Sequence, residues 1–252
     1  MSEQQARAWL SEARSVAVLT GAGISAESGI PTFRGDGGLW RNFRAEDLAT
    51  PEAFARDPRL IWEWYDWRRG LIAAAQPNPG HLALAQLAQR QIDFTLITQN
   101  VDGLHERAGN HRLLKLHGDI WRLRCTACGS EWPDRRVPLP NLPPRCQCGG
   151  LARPAVVWFG EPLTPGLFEE ASHAVESADV LLVVGTSAAV YPAANLIPLA
   201  RRAGAKVIEV NLDETPMSSL VDAALRGPSG EILPRLLPAP ASSNSGVHQA
   251  LT

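Results

Sequence analysis

The segment from Val16 to Trp40, VAVLTGAGISAESGIPTFRGDGGLW, constrains the fold more than any other part of the chain. Its short β-branched apolar start, Val16 to Leu19, predicts a buried parallel strand, which passes at Thr20 into Gly21-Ala22-Gly23. Glycines at that point let the backbone approach a ligand closely, and a helix N-terminus that follows a strand binds phosphate. A nucleotide site is the first hypothesis, and a plain tight turn is the alternative.

The same segment excludes the helix that ordinarily follows such a turn. In a dinucleotide-binding unit the motif G-x-G-x-x-G opens a long amphipathic helix, but here the third glycine is Gly29. Pro31, Gly35, Gly37 and Gly38 then predict an irregular loop in place of the helix. Because long loops of specific composition are usually functional, we expect this loop to belong to the site.

Composition limits the class of protein. With 252 residues, 45% of them apolar, the chain can bury the core of one large domain, or of a large and a smaller one. The formal net charge is -2 and no basic block stands out, so nucleic acid is not expected as a partner. No apolar run approaches the roughly 20 residues that span a bilayer, and the start MSEQQARAWLSEARS lacks the apolar core of a signal peptide. We therefore expect no membrane partner and a cytoplasmic location.

Apolar strands alternate with helical segments along the chain. Helices are predicted over 3–14, 45–55, 59–75 and 81–89, and further strands over 94–97, 113–116, 180–184 and 207–210. Each of these four strands is followed by a polar or glycine motif: Gln99-Asn100-Val101-Asp102, His117-Gly118, Gly185-Thr186-Ser187 and Asn211-Leu212-Asp213. Since open parallel α/β sheets bind ligands at the carboxyl ends of their strands, the pattern predicts a doubly wound, mostly parallel α/β sheet with its site at that edge.

All four cysteines lie in one insertion, as Cys125-x2-Cys128 and Cys146-x-Cys148. Two close pairs separated by a loop suit one zinc ion bound tetrahedrally by four thiolates, as in zinc ribbons. Two disulfides are the alternative, which a reducing cytoplasm disfavours. Because four thiolates leave no position for water, we expect the zinc to be structural.

These motifs, in this order, resemble the sirtuins, the NAD-dependent protein deacylases. GAGISAESGIPTFRG matches their nucleotide-binding signature, and the resemblance runs from about Val16 to Leu236. It implies a large Rossmann-like NAD domain and a small domain with a helical and a zinc-binding part. The implied bounds are 1–34, 76–117 and 156–237 for the large domain, 35–75 for the helical part and 118–155 for the zinc-binding part. The tail 238–252 is small, polar and rich in proline and serine, and we expect it to be disordered.

The resemblance also implies the chemistry. His117, in LKLHGD, matches the catalytic histidine, and imidazole titrates near neutral pH. It would deprotonate the ribose of NAD, and the products would be nicotinamide, free lysine and O-acyl-ADP-ribose. Asn100 and Asp102 match residues that hold nicotinamide and its ribose. The alternative is that they only form an Asx turn at the end of a strand. The implied cofactor-binding residues are Gly21, Ala22, Gly23, Glu27, Thr32, Phe33, Arg34, Trp40, Gln99, Asn100, Asp102, Gly185, Thr186, Ser187, Asn211, Leu212, Asp213 and Ser229.

Tyr65 and Arg68 are three residues apart on a predicted helix, and so on one face. This Tyr-x-x-Arg, with Ala45 at the matching upstream place, resembles the branch of sirtuins that removes succinyl, malonyl and glutaryl groups. A guanidinium and a phenol can both bond a carboxylate, and a small Ala45 leaves room at the mouth of a pocket. The alternative is a solvated arginine beside a core aromatic residue.

The extended segment from Val156 to Glu161 matches the sirtuin segment that pairs with the substrate peptide as an added strand. Val156, Val157 and Phe159 would then bind the acylated-lysine peptide. An ordinary edge strand is the alternative.

Other functions stay open from the sequence alone. A protein ADP-ribosyltransferase would consume NAD without freeing lysine, and a general deacetylase would lack the preference for acyl groups that carry a carboxylate. A non-enzymatic zinc-ribbon binding module is a further hypothesis, which His117 and the QNVD run disfavour. The pattern predicts no oligomeric state.

Overall fold

The computed structural model describes residues 3–32, 45–90 and 93–237. The helices are α1 Glu3–Glu12, α2 Ala45–Leu48, α3 Pro51–Arg56, α4 Pro58–Ala74, α5 Pro79–Ala88, α6 Leu104–Arg107, α7 Leu167–Glu176, α8 Leu196–Ala203 and α9 Ser229–Leu236, with short 3-10 helices at Ala22–Ser28, Ala193–Asn195 and Ser218–Leu220. The strands are β1 Ser15–Thr20, β2 Asp93–Thr98, β3 Leu113–Lys115, β4 Gly118–Cys125, β5 Glu131–Pro133, β6 Ala152–Val156, β7 Val180–Val184, β8 Lys206–Asn211 and β9 Ala223–Arg226. Within these ranges, no helix combines the length and the apolar composition needed to cross a membrane.

Six strands form a parallel sheet in the order β3-β2-β1-β7-β8-β9. Strand β1 lies between β2 and β7, with Ser15 opposite Asp93 and Val16 opposite Val180. The chain runs outward in one direction from β1 to β3 and in the other from β7 to β9, so the order reverses between β1 and β7. In open α/β sheets the ligand binds in the crevice at that reversal. The predicted doubly wound, mostly parallel fold is confirmed.

Helices cover both faces of the parallel sheet. Val18 packs on one face with apolar residues of α1, α5 and α9, and its neighbour Leu19 packs on the other face with residues of α7 and α8. Successive side chains of a strand point to opposite faces, so a strand covered on both sides must be apolar at every position. This requirement explains the continuous apolar run of β7, Val180–Val184, whose five residues are all buried.

Three further strands form an antiparallel sheet in the order β5-β4-β6. It shares a buried cluster with α2, α3 and α4, in which Trp62 and Leu123 are both fully buried. The Trp62 indole N–H also donates to the Ala152 carbonyl oxygen at 2.7 Å, which joins α4 to β6 directly. Helices and strands from both parts of the proposed small domain thus pack together, while its bounds remain a prediction.

Three helices begin with a capping side chain followed by proline. Thr50 caps α3, Asp57 caps α4 and Asn78 caps α5, each accepting from backbone N–H groups of the first turn. Pro51 and Pro58 each begin a helix, so the helix predicted over 45–55 is in fact two helices, α2 and α3. The sequence placed the start of α5 at residue 81 instead of Pro79, because the run Gln76 to Gly80 has the composition of a turn.

A fully buried arginine ties α4 to the antiparallel sheet. Arg69 donates to the carbonyl oxygens of Ile120 at 2.9 Å, Asp134 at 2.7 Å and Arg136 at 3.0 Å. Its guanidinium also lies 5.0 Å from the centre of the Trp121 ring. These carbonyl groups are held in place by one side chain.

Replacing Arg69 by methionine should lower the free energy of unfolding by about 3–5 kcal/mol. Methionine keeps the apolar part of the side chain, but the three carbonyl groups lose their hydrogen-bond donor. Denaturant titration followed by tryptophan fluorescence measures this. The matched control is Arg59→Met, on the exposed face of the same helix, where the side chain is 74% exposed and pairs with Glu63. A loss as small for Arg69→Met as for Arg59→Met would contradict the structural role.

Candidate active site

The loops that follow β1 and β7 touch backbone to backbone. The Gly21 N–H donates to the Val184 carbonyl oxygen at 3.0 Å, and the Gly23 N–H to that of Gly185 at 2.7 Å. A Cβ at Gly23 would lie 2.7 Å from the Cα of Gly185, and one at Gly185 would lie 2.4 Å from the Ile24 nitrogen. The sequence predicts that the glycines of this turn allow close approach of a ligand. In the structure, contact between two protein loops already requires them.

Polar side chains join the carboxyl ends of four adjacent strands. The Gln99 amide donates to the Thr186 hydroxyl at 2.9 Å, and the Asn100 amide donates to the Gly21 carbonyl oxygen at 3.0 Å. The Asn211 amide donates to the Thr186 carbonyl oxygen at 2.8 Å. The residues that were predicted after β1, β2, β7 and β8 therefore lie together, at the reversal of strand order.

Asp102 is buried and fully engaged. One carboxylate oxygen accepts the Leu104 N–H at 2.8 Å, and the other accepts the Ser25 hydroxyl at 2.9 Å. Burial raises the pKa of Asp102, while these two hydrogen bonds oppose the shift. The Asx turn that was the alternative for Asp102 is thus present, and it starts α6. The bond to Ser25 is additional, and it ties the QNVD run to the first glycine loop.

Ser25 also belongs to the site, although no sequence motif indicated it. It is 1% exposed, and its oxygen lies 3.3 Å from the Asn100 amide and 3.4 Å from His81 Nε2. A serine buried in a short turn beside a strand end must find hydrogen-bond partners, and this requirement could have pointed to it. It connects three of the segments that build the site.

His117 follows β3 and is half-buried at the edge of this cluster. Its Nδ1 lies 3.0 Å from the Gln99 carbonyl oxygen, which can only accept, so Nδ1 carries the proton and the lone pair of the neutral ring is on Nε2, which has no hydrogen-bond partner among the described residues. Burial lowers the pKa of His117, and the bond to the Gln99 carbonyl acts in the opposite direction. The imidazole is therefore neutral near pH 7 and can accept a proton at Nε2.

The predicted peptide-binding segment is bonded to the backbone beside this histidine. Val156 lies opposite Gly118 across the β4–β6 pair, and the Val157 N–H donates to the His117 carbonyl oxygen at 2.9 Å. Gly118 has φ 80°, and a Cβ there would lie 2.2 Å from the Ala155 carbonyl oxygen, so only glycine fits. The segment and the imidazole thus hold a fixed relative position.

The extended segment is shorter than the sequence predicted. β6 ends at Val156, and the chain turns at Phe159-Gly160 instead of continuing to Glu161. Gly160 has φ 85°, and the Glu161 carboxylate accepts the Trp158 N–H at 2.8 Å, which folds the segment back. The side chain of Phe159 remains 41% exposed.

Tyr65 and Arg68 lie side by side in the interior. Their exposed fractions are 2% and 6%, and the Arg68 guanidinium carbon lies 5.8 Å from the centre of the Tyr65 ring and 4.8 Å from that of Trp64. Burial lowers the pKa of Arg68 and raises that of Tyr65. The alternative of a solvated arginine is wrong. Arg68 also lines a small cavity with Ile30 and Pro31, at the end of the first glycine loop.

The remaining predicted residues divide into three groups. Glu27 is exposed and accepts the Ser229 hydroxyl at 3.1 Å and the Gly230 N–H at 2.7 Å, so it links the first loop to the start of α9. The residues Ser187, Leu212 and Asp213 are exposed at the sheet edge, and Thr32 is half-buried. Phe33, Arg34 and Trp40 lie outside the described residues, as do the side chain of Ala45 and the tail 238–252.

The four cysteines converge on one point. Their sulfur atoms all lie within 4.8 Å of one another, with Cys125 and Cys148 at 3.5 Å and Cys128 and Cys146 at 3.8 Å. Zinc bound to four thiolates at about 2.3 Å places the sulfurs roughly 3.8 Å apart, so the cluster suits one zinc ion. The N–H of Ala127 donates to Cys125 Sγ at 3.4 Å, as suits a thiolate. All four thiols are free, so the two-disulfide alternative is wrong.

Comparisons with known proteins agree with this geometry. The model of the Sir2 family matches residues 21–192. The chain is 57% identical over 208 residues to the NAD-dependent protein deacylase of Aquifex aeolicus, covering 82% of this chain and 87% of the relative. It is 52% identical over 229 residues to NAD-dependent protein deacylase 2 of Pyrobaculum aerophilum, covering 90% and 92%.

Solved structures of similar fold include several with bound ligands. A mutant Sir2 homologue in complex with ADP-ribose has a TM-score of 0.90 at 46% identity, with 94% of this chain and 95% of that chain covered. A Sir2 homologue–NAD complex has a TM-score of 0.88 at 47% identity, covering 94% and 93%. A Sir2 variant with a deacetylated p53 peptide and 3′-O-acetyl ADP-ribose has a TM-score of 0.86 at 31% identity, covering 94% and 97%. Since the family match spans more than half of the chain and the relatives cover most of it, the chain belongs to the Sir2 family.

Proposed function

We propose that this protein is an NAD-dependent protein-lysine deacylase that prefers acyl groups ending in a carboxylate. The observation that carries the proposal is the setting of His117. Its imidazole is neutral with the lone pair on Nε2, and its backbone carbonyl oxygen accepts the N–H of Val157 in the proposed peptide-binding segment. The names of the relatives support the same activity. The proposed location is the cytoplasm.

The proposed cofactor site lies at the carboxyl edge of the parallel sheet. Its amide, hydroxyl and carboxylate groups suit a dinucleotide, which presents ribose hydroxyls and a carboxamide as bonding partners. When bound, NAD would supply the ADP-ribosyl group to which the acyl group is transferred. The residues that would hold it are Gly21, Ala22, Gly23, Glu27, Thr32, Phe33, Arg34, Trp40, Gln99, Asn100, Asp102, Gly185, Thr186, Ser187, Asn211, Leu212, Asp213 and Ser229.

His117 would act as the general base. Its Nδ1–H is occupied by the Gln99 carbonyl, so the ring is held with Nε2 as the only basic nitrogen. Nε2 would take the proton of a ribose hydroxyl, which makes that oxygen nucleophilic toward the acyl group. A neutral imidazole is needed for this step, and burial favours the neutral form.

The acylated peptide would lie along Val156 and Val157. Both residues belong to a segment that is fixed from one side by β4 and the His117 carbonyl, and Phe159 adds an exposed apolar side chain. Main-chain pairing gives affinity with little sequence preference, which suits an enzyme that acts on many proteins.

Tyr65 and Arg68 would bind the carboxylate of a succinyl, malonyl or glutaryl group, and Ala45 is the third residue that the resemblance assigns to acyl binding. A guanidinium and a phenol in a buried place bind a carboxylate more strongly than they would in water, because the surroundings are less polar. Among the described residues, the charges that act on Arg68 are those of Tyr65 and Asp102, and the charges that act on Tyr65 include that of Arg68.

Mass spectrometry of reactions with NAD and acetyl-, succinyl- and malonyl-lysine peptides tests the function. The expected products are free lysine peptide, nicotinamide and O-acyl-ADP-ribose. ADP-ribose attached to the peptide, with the acyl group retained, would instead establish a protein ADP-ribosyltransferase.

Replacing Arg68 by methionine should lower kcat/KM on succinyl-lysine relative to acetyl-lysine by about 10- to 150-fold, mostly through KM. The factor follows from a charge-assisted hydrogen bond of roughly 1.5–3 kcal/mol, which an acetyl group cannot accept. Steady-state kinetics on matched peptides measures the ratio. If kcat/KM falls equally on both substrates, Arg68 is only a structural residue and the enzyme is a general deacetylase.

A further inference from the structure

We propose that Trp158 is a positioning residue for acyl preference, because its indole N–H occupies a lone pair of the Tyr65 hydroxyl and so directs the Tyr65 O–H toward the acyl carboxylate. This inference rests on the proposed function and extends it to a residue that does not touch the carboxylate itself. The hydrogen bond joins two residues that are 93 positions apart in the sequence.

The direction of this hydrogen bond follows from the chemistry of its two groups. Trp158 Nε1 lies 2.9 Å from Tyr65 Oη, and both side chains are buried, at 3% and 2% exposure. An indole nitrogen can only donate, so the phenol oxygen accepts. Within the described residues, the Tyr65 hydroxyl has no second hydrogen-bond partner. Its single proton is therefore left for a group that enters the site.

The indole that makes this bond is itself held on several sides. The Arg153 guanidinium carbon lies 3.3 Å from the centre of the Trp158 ring, and the Phe54 ring packs beside it at 5.4 Å between centroids. Arg153 also donates to both carboxylate oxygens of Glu161, at 2.5 and 2.8 Å, and Glu161 accepts the Trp158 backbone N–H. The indole cannot rotate away from Tyr65 without breaking its contacts with Arg153, which Glu161 holds in place, and with Phe54.

The protonation of Tyr65 is compatible with donation. Burial raises the pKa of Tyr65, and the positive charge of Arg68 and the bond from Trp158 only partly oppose the shift. The phenol therefore keeps its proton at neutral pH. A phenolate could not donate and would repel a carboxylate, so the protonated form is the one that the proposed role needs.

The first test is Trp158→Phe, which removes the N–H donor and keeps an aromatic ring between Arg153 and Phe54. We expect the ratio of kcat/KM on succinyl-lysine to that on acetyl-lysine to fall about three- to tenfold, the scale of one neutral hydrogen bond. Trp67→Phe is the control, because Trp67 lies on the same helix as Tyr65 and is 50% exposed. It should retain the ratio of the parent protein.

A second variant separates the N–H from the volume of the ring. Benzothienylalanine, incorporated at position 158 alone, has nearly the shape of tryptophan but carries sulfur in place of the N–H. If the hydrogen bond is responsible, this protein should lose the same three- to tenfold in the ratio. A ratio equal to that of the parent would overturn the proposal, even if Trp158→Phe folds poorly.

A double-mutant cycle tests whether Trp158 acts through Tyr65. In a Tyr65→Phe background there is no hydroxyl to direct, so Trp158→Phe should change the ratio less than twofold further. An equal fall with and without the hydroxyl would overturn the inference. A parent protein that prefers succinyl-lysine, with an unchanged ratio in Trp158→Phe, would leave the proposed function intact and refute only this role. A parent protein with no such preference would refute both.

Discussion

Replacing His117 by alanine is expected to lower deacylation by about 10²-fold or more, the usual contribution of a general base, while the protein still folds and binds NAD. The imidazole makes one hydrogen bond to protein in the described structure, to the Gln99 carbonyl at the half-buried edge of the site, so its removal disturbs no buried network. Quenched-flow or steady-state product analysis gives the rate. Isothermal titration with NAD gives the binding constant.

The pH profile adds a second signature for the same residue. Burial places the pKa of His117 below the ordinary histidine value, so its neutral, basic form persists into mildly acidic solution. Activity of the parent enzyme should fall only as pH drops through that lowered pKa, below about 6.5, and His117→Ala should lack this limb in its residual activity. His173→Ala, which changes an exposed histidine of α7, is the control and should behave as the parent. Near-normal turnover in His117→Ala would remove this residue from the mechanism.

The strands of the parallel sheet could be predicted because their environment leaves one kind of sequence. A strand that is buried on both faces has no polar position, and Val180–Val184 has none. The residues that follow such strands must then lie at one edge of the sheet. His117 and Asn211, which are far apart in the sequence, were placed at the same edge by this reasoning alone.

The antiparallel sheet was harder to predict because its central strand, β4, is only partly covered. Strand β4 reads GDIWRLRC, in which buried Ile120, Trp121, Leu123 and Cys125 alternate imperfectly with charged residues. The register between β4 and β6 also shifts between Asp119 and Leu123, so buried and exposed residues do not alternate strictly along the strand. The sequence identified this region by its cysteines instead.

Contacts between distant side chains could not be predicted at all. The Trp158–Tyr65 and Ser25–Asp102 hydrogen bonds join segments whose distance in space depends on the whole fold. The sequence placed Tyr65 on a helix and Trp158 on an extended segment, but propensity and spacing carry no information on how those elements pack. The same limit applies to Gly21 and Gly23 of the first loop, because their neighbour Gly185 lies in the loop that follows β7, far away in the sequence.

Replacing Cys125 and Cys146 by serine together is expected to remove the zinc site and to lower thermal stability, solubility and activity together. Strand β4 begins at Gly118, beside His117, and ends at Cys125, so the metal cluster anchors the far end of the strand that positions the base. β6, which leads into Val157, pairs with the same strand. Binding of structural zinc contributes roughly 10–16 kcal/mol in isolated zinc-finger peptides. Only part of that can be lost here, since Leu123 and Trp62 also belong to a core shared with the helices.

Metal content by mass spectrometry should fall from one zinc ion per chain to none, and the midpoint of thermal unfolding should fall with it. Incubating the parent protein with a chelator should have the same two effects, because the apo-thiolates repel one another and no longer close the loop between the two cysteine pairs. Arg135→Ala, an exposed change in the same insertion that keeps all four thiols, is the control and should retain both the metal and the midpoint. A metal-free double variant that melts and turns over like its parent would show that the antiparallel sheet needs no metal, and that its apolar core alone holds β4 against the active site.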